Sequence, residues 1–133
     1  MVTDLERIGD HASDIAELIL RIKSEHAYHI VKHLPVMAAS ANAMVHDAIE
    51  AFINQDLDSA MEIIERDDEV DTLFNQVKDD VIHLLKSSPD QADQGIDLLM
   101  VAKYLERIGD HAVNVCEWTQ FSKTGALKNV RIM

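Results

Sequence analysis

Apolar residues recur at the spacing of an α-helix through four stretches of the chain. The predicted helices cover residues 3–23, 35–54, 56–86 and 90–122. In the first, the predicted core stripe consists of Leu5, Ile8, Ala12, Ile15 and Ile19. Pro35 suits the first turn of the second helix, Asp56 the cap of the third and Gly125 the end of the fourth. Because the connections are short and alternating β-branched runs are absent, the pattern predicts an all-α antiparallel helical bundle.

One octet, LERIGDHA, occurs at Leu5–Ala12 and again at Leu105–Ala112. About four turns of predicted helix precede the second copy, whereas only residues 1–4 precede the first. We therefore expect a first repeat unit that lacks its first two helices, either in the C-terminal part of a longer protein or in a natural short version of one. The predicted domains are residues 1–34, the last helix of that incomplete unit with its connection; residues 35–123, a complete three-helix second unit; and residues 124–133, a C-terminal tail. An orphan first helix has to bury its stripe on the bundle or on a second chain, which predicts a homodimer.

Acidic side chains follow the same helical spacing. Three pairs of carboxylates, each with a spacing of four residues, are candidates for a shared site: Glu6 with Asp10, Asp67 with Asp71, and Glu106 with Asp110. Such pairs stack on one face of a helix and repel each other. Asp67 interrupts an apolar stripe, so we expect it at the edge of the core. Iron, manganese, zinc or magnesium would offset the repulsion, since these ions accept clusters of oxygen ligands.

Simpler interpretations of these acidic residues and histidines compete with a metal site. Acids at helical spacing are commonly a solvated face, and Thr3 with Glu6 forms a capping-box pattern. For His11 and His111, which follow the acids directly, we expect surface positions or hydrogen bonds between helices. A zinc site at His26, His29 and His33 is disfavoured because a fourth strong ligand is missing.

Composition narrows the classes of function. With 12 basic and 24 acidic residues the formal net charge is −12, which argues against nucleic acid and favours cations or basic partners. The single cysteine, Cys116, fits a reducing cytosol. A membrane span, a signal peptide, a paired nucleophile and base, and a glycine-rich phosphate loop are all missing from the sequence. We expect a soluble, non-enzymatic protein that is able to dock on a membrane protein.

The two copies of LERIGDHA, the stretch AKYLERIGDHAVNVCEW and the stretch AMEIIERDDEVDTLFNQV together resemble the PhoU family of phosphate-transport regulatory proteins. The resemblance covers essentially the whole chain. It implies a cytoplasmic, non-enzymatic protein that restrains the phosphate-starvation response and limits phosphate uptake. Such a protein communicates between the high-affinity phosphate ABC transporter and the phosphate-sensing histidine kinase.

The resemblance also implies metal clusters of iron or zinc, held by a motif of Glu or Asp, three residues, then Asp. The positions that match are Glu6, Asp10, Asp67, Asp71, Glu106 and Asp110. The frame that starts at Asp71 departs from the motif, because it ends on Asn75. The alternative function is a metal-free helical interaction module whose acidic face binds a basic partner.

Overall fold

A computed structural model describes residues 1–22 and 25–124 of the 133-residue chain. Its six α-helices are α1 (Val2–Arg21), α2 (Glu25–Ile30), α3 (Leu34–Asn54), α4 (Leu57–Glu65), α5 (Asp67–Ser87) and α6 (Ala92–Thr124). A single 3₁₀ turn, Pro89–Gln91, precedes α6, and the described residues contain no strand. The predicted all-α helical bundle is therefore confirmed. Among the described helices, none has a stretch long and apolar enough to cross a membrane.

The third predicted helix is in fact two helices that meet at Arg66. Asp56 caps the first of them as predicted, accepting hydrogen bonds from the Ser59 amide at 3.1 Å and the Ser59 hydroxyl at 2.8 Å. At the junction, the Arg66 amide bonds to the Ile63 carbonyl and the Glu69 amide to the Arg66 carbonyl, both at 3.0 Å. These bonds span three residues instead of four, so the helix tightens there and α5 starts anew. Gly125, the predicted end of the last helix, and the predicted tail lie outside the described residues except for Thr124.

The last helix, α6, forms the centre of the bundle. It packs against α1, α3, α4 and α5. The fully buried α6 side chains include Leu98, Ala102, Ala112, Cys116 and Thr119. Because α6 has neighbours on opposite sides, it is buried over a much wider arc than an ordinary surface helix.

The stripe predicted for α1 is only partly correct. The half-buried members are Ile8 and Ile15, and the exposed members are Leu5, Ala12 and Ile19. The fully buried side chains of α1 are instead Asp4 and Leu18. The hydrophobic pattern failed because α1 packs chiefly against one helix, α6, and therefore buries one side only. Its remaining apolar residues form a second, uncovered face.

A buried carboxylate sets the orientation of α1 on α6. The Asp4 Oδ1 atom lies 2.9 Å from the His111 ring nitrogen Nδ1 and accepts a hydrogen bond from the Asn114 amide at 3.0 Å. The N-terminal ammonium of Met1 lies 4.0 Å from the other oxygen. These partners compensate a carboxylate that is only 5% exposed. The capping-box prediction for Thr3 was wrong, because the cap residue of α1 is Met1 and Thr3 lies inside the helix.

Candidate metal site

Two of the three predicted carboxylate pairs face each other across the contact between α5 and α6. Asp67 and Asp71 lie in the first two turns of α5, and Glu106 and Asp110 lie in the middle of α6. Four-residue spacing places each pair on one side of its helix, and the two helices pack together. We call these four residues the α5–α6 acidic cluster. The sequence pattern predicted all four.

Negative charge accumulates in this cluster. Burial, followed by the charges of Asp110 and Asp71, raises the pKa of Asp67 to about 6. Burial and the charge of Glu106 also raise the pKa of Asp71 and the pKa of Asp110. Lys103 donates a hydrogen bond to Glu106 at 2.7 Å, which compensates one of the four carboxylates. The cluster is therefore short of positive charge.

One oxygen of this cluster has no hydrogen-bond partner. Asp67 Oδ1 is buried and unpartnered within the part of the chain that the structure describes. It lies over Gly109, where a Cβ atom would be 3.6 Å from this oxygen and 3.7 Å from Val70. A Cβ atom at position 109 would thus be in ordinary van der Waals contact with the Asp67 carboxylate. Carboxylate oxygens are the ligands that a hard or borderline cation prefers, and one of those in this cluster is buried and unpaired, so the chemistry of this donor set suits a metal ion.

The third predicted pair is not part of this cluster. Glu6 and Asp10 lie on the exposed surface of α1. Between them, Gly9 is open, since an added Cβ atom would meet no described atom within 4 Å. The same octet therefore has a packed glycine in α6 and an uncovered one in α1.

The histidines of the two octets meet at the contact between α1 and α6. Their ring centroids, in His11 and His111, are 5.7 Å apart, and the His11 ring also lies 5.4 Å from that of Tyr104. His111 makes the hydrogen bond to Asp4 described above, which confirms an interhelical role for this residue. Burial and the nearby His111 lower the pKa of His11. The two copies of the octet thus meet through their histidines.

The three histidines near α2 have separate surroundings. His33 pairs with Asp80, its ring nitrogen Nδ1 lying 2.7 Å from the Asp80 carboxylate. The His26 ring lies 3.2 Å from the Ser88 hydroxyl, and His29 is exposed.

A further group of possible metal ligands was missed. His46, Asp47 and Glu50 on α3 are the one described set of three residues whose ligand atoms all lie within 4.8 Å of one another; the acids of the α5–α6 acidic cluster do not come together this closely in threes. The spacing of His46 and Glu50 by four residues was the available signal. However, Asp47 already accepts a hydrogen bond from Arg66 at 2.8 Å. Hydrogen bonds from Arg66 and His46 lower the pKa of Asp47, so this group is an ion-pair network.

The fold and the cluster define a class: a helical-bundle protein with a cation-suited row of carboxylates between two of its helices. The model of the PhoU domain matches residues 34–119. The chain therefore belongs to the PhoU family.

Relatives extend the match beyond this domain. The chain is 41% identical over 125 residues to the phosphate-specific transport system accessory protein PhoU homolog of Clostridium acetobutylicum, covering 94% of this chain and 57% of the relative. A Thermotoga maritima homolog is 34% identical over 129 residues, covering 96% and 55%. The chain thus spans little more than half the length of these curated relatives.

Solved structures agree with the fold. The crystal structure of the phosphate transport system regulatory protein PhoU from Streptococcus pneumoniae matches with a TM-score of 0.79 at 30% identity, covering 94% of this chain and 59% of that one. PhoU from Pseudomonas aeruginosa matches with a TM-score of 0.83 at 29% identity, covering 94% and 60%.

Proposed function

We propose that this chain is a metal-binding, non-enzymatic regulatory adaptor of phosphate uptake in the cytoplasm. In this proposal it restrains the phosphate-starvation response by acting between the phosphate ABC transporter and the phosphate-sensing histidine kinase. Membership of the PhoU family and the names of the relatives, which are accessory proteins of phosphate-specific transport, support the regulatory part. The buried, unpartnered oxygen of Asp67 is the observation that carries the metal-binding part.

The α5–α6 acidic cluster would hold iron or zinc. A bound cation supplies positive charge where Asp67, Asp71 and Asp110 repel one another, and it stabilises their ionised forms. The role of Lys103 is to compensate Glu106. On α1, Glu6 and Asp10 would hold a second ion only together with carboxylates from another chain or segment, because they are exposed and apart from the other four.

A homodimer is part of the proposal because α1 has an uncovered apolar face. Leu5, Ala12 and Ile19 are exposed, whereas the residues 100 positions later in the repeat, Leu105, Ala112 and Thr119, are buried. Burying such a face on a second copy would remove apolar surface from water. Measuring the mass in solution with and without added metal tests this part, and a mass that stays monomeric under both conditions would contradict it.

Elemental analysis tests the metal site. Replacing Glu106 and Asp110 together with alanine should remove the bound iron or zinc and leave the helical circular dichroism intact, because both side chains lie at the edge of the core. The matched control replaces Asp58 and Glu62 with alanine, since these exposed acids have the same spacing on α4. Unchanged metal content in a folded Glu106→Ala, Asp110→Ala protein would reject the site. Loss of helicity together with the metal would make the ion a structural one.

A cell-based assay tests the regulatory role. The chain is expressed in a bacterium that lacks its own PhoU protein, and a phosphate-starvation reporter is followed in high phosphate. We expect the reporter to be repressed by the wild-type chain and less so by the Glu106→Ala, Asp110→Ala variant. A reporter that stays fully active with the folded wild-type chain would contradict the role.

A further inference from the structure

The helix α3 has an unusually uncharged outer face. Its 21 residues include two charged side chains, Asp47 and Glu50, whereas the 21 residues of α5 include eight. The side of α3 that faces away from the core exposes Val36 and Ile53 by 53% and 72%. A helix that is apolar on two opposite sides is suited to burial on both. The described residues cover only one of these sides.

Two shallow depressions lie along this helix, on the side of α4 and the start of α5, and we treat them as the two halves of one groove. Its first half is lined mainly by small and apolar side chains, Val36, Ala39, Ser40 and Ala43, and by one carboxylate, Glu69. Its second half is lined mainly by carboxylates: Asp47, Glu50, Asp56 and Glu62. Arg66 lines both halves. We call this feature the α3 groove.

The second half of the groove has a net negative charge. Arg66 is its one basic side chain, set against the four carboxylates. The guanidinium donates to Asp47 at 2.8 Å and lies 3.5 Å from Glu62. Glu50 is exposed and is 3.7 Å from the ring of His46. A partner that brings basic groups to this half would therefore gain attraction at Glu50 and Asp56.

The two halves together specify the occupant. We propose that the α3 groove binds a helix of a protein partner that has apolar side chains over Ala39 and Ala43 and Lys or Arg side chains opposite Glu50 and Asp56. Small side chains at the first two positions let another helix come close. Val36 and Glu50 are 14 residues apart along α3, about 21 Å, so the occupant needs about four helical turns.

Charge distinguishes this occupant from other candidates. A second copy of the chain, with a net charge of −12, would bring the same carboxylates against Glu50 and Glu62. An anionic membrane surface would be repelled for the same reason. The inference is independent of the proposed metal site, because the α3 groove and the α5–α6 acidic cluster have no residue in common.

A designed peptide serves as the probe. It is a fluorescein-labelled helix of 16 residues, with Leu and Ala in one half and Lys in the other, and binding is measured by fluorescence anisotropy in the presence of EDTA. We expect saturable binding, which Glu50→Lys weakens more than tenfold. Asp79→Lys, on the exposed surface of α5, changes the net charge equally and should alter affinity less than twofold. Ala43→Glu should also weaken binding more than tenfold, whereas Ile82→Glu on α5 should not.

Each alternative outcome overturns the proposal. Equal weakening by Glu50→Lys and Asp79→Lys would mean attraction by net charge alone. If a control peptide with Glu in place of Lys binds equally well, the carboxylates of the groove do not contribute to binding. Loss of binding in an Asp71→Asn, Asp110→Asn variant, with Glu50→Lys unaffected, would place the peptide on the α5–α6 acidic cluster. If the chain self-associates and Ala43→Glu abolishes this association, the groove binds a second copy of the chain instead. If the peptide does not bind at all, the groove does not bind a basic helix.

Discussion

Replacing Asp67 with asparagine should stabilise the metal-free protein at neutral pH. The pKa of Asp67 is raised from 3.8 to about 6, which corresponds to a penalty of about 3 kcal/mol for holding the ionised carboxylate in the folded state. Asp67 lines an open pocket, and solvent screening reduces the penalty to about 1–2 kcal/mol. The first turn of α5 favours an anion by about 0.3–1 kcal/mol, which opposes the gain. We expect a net gain of about 1 kcal/mol for Asp67→Asn.

The pH dependence separates this effect from a change in packing. Well below pH 3.8 the carboxyl is protonated in both the folded and the unfolded state, so it contributes no penalty. Between 3.8 and 6 the unfolded state ionises first, and the folded state loses stability as the pH rises. The gain from Asp67→Asn should therefore be largest at pH 7.5 and fall to about a third of that value at pH 4.5.

Urea unfolding in EDTA, followed by far-UV circular dichroism, measures the difference. Asp79→Asn is the control, because it removes a negative charge from an exposed position of the same helix. Adding zinc should then stabilise the wild type more than Asp67→Asn, since the cation offsets the repulsion only where the carboxylate is present. If Asp67→Asn is no more stable than the wild type at pH 7.5, or if its gain is the same at pH 4.5, the electrostatic account of this carboxylate is wrong.

Three other predictions concern α1 and the core. Asp4→Ala should lower the free energy of unfolding by about 1–3 kcal/mol, because the ring nitrogen Nδ1 of His111 loses the Asp4 carboxylate as its partner. Amide hydrogen exchange should then become faster in α1 and stay unchanged in α5. Gly9→Ala should raise the free energy of unfolding by about 0.5–1 kcal/mol, since the added methyl group meets no described atom within 4 Å; a loss of stability would show that this face is covered in solution. Burial raises the pKa of Cys116 to about 12, so a thiol reagent at pH 8 should modify the unfolded chain and not the native one; rapid modification of native protein would contradict the burial.

Sequence reasoning succeeded where residue spacing alone decides which side chains lie together. The spacing of Asp67, Asp71, Glu106 and Asp110 predicted the acidic row between α5 and α6, because four-residue spacing fixes which side chains share a face. It failed for α1, where hydrophobicity cannot tell a covered apolar face from an uncovered one. It also missed the buried role of Asp4, whose partners lie more than 100 residues away.

The ion pair of Asp47 and Arg66 was beyond sequence reasoning for a related reason. Its two residues are 19 positions apart, on helices whose relative rotation depends on the packing of the whole bundle. The sequence also did not indicate the helix break at Arg66, because the helical spacing of apolar residues continues from α4 into α5 without interruption. A proline or glycine would have been the usual signal.

The central position of α6 has a consequence for how the chain folds during synthesis. This helix packs against α1, α3, α4 and α5, yet the ribosome makes it after all of them. His111, the partner of the Asp4 carboxylate, is added to the chain 107 residues after Asp4. At about 5–20 residues per second, this delay lasts several seconds or more. Until then the apolar faces meant for α6 are open to chaperones and to neighbouring nascent chains. We therefore expect ribosome-bound chains that stop before α6 to be degraded rapidly by added protease, and chains that include α6 to resist it.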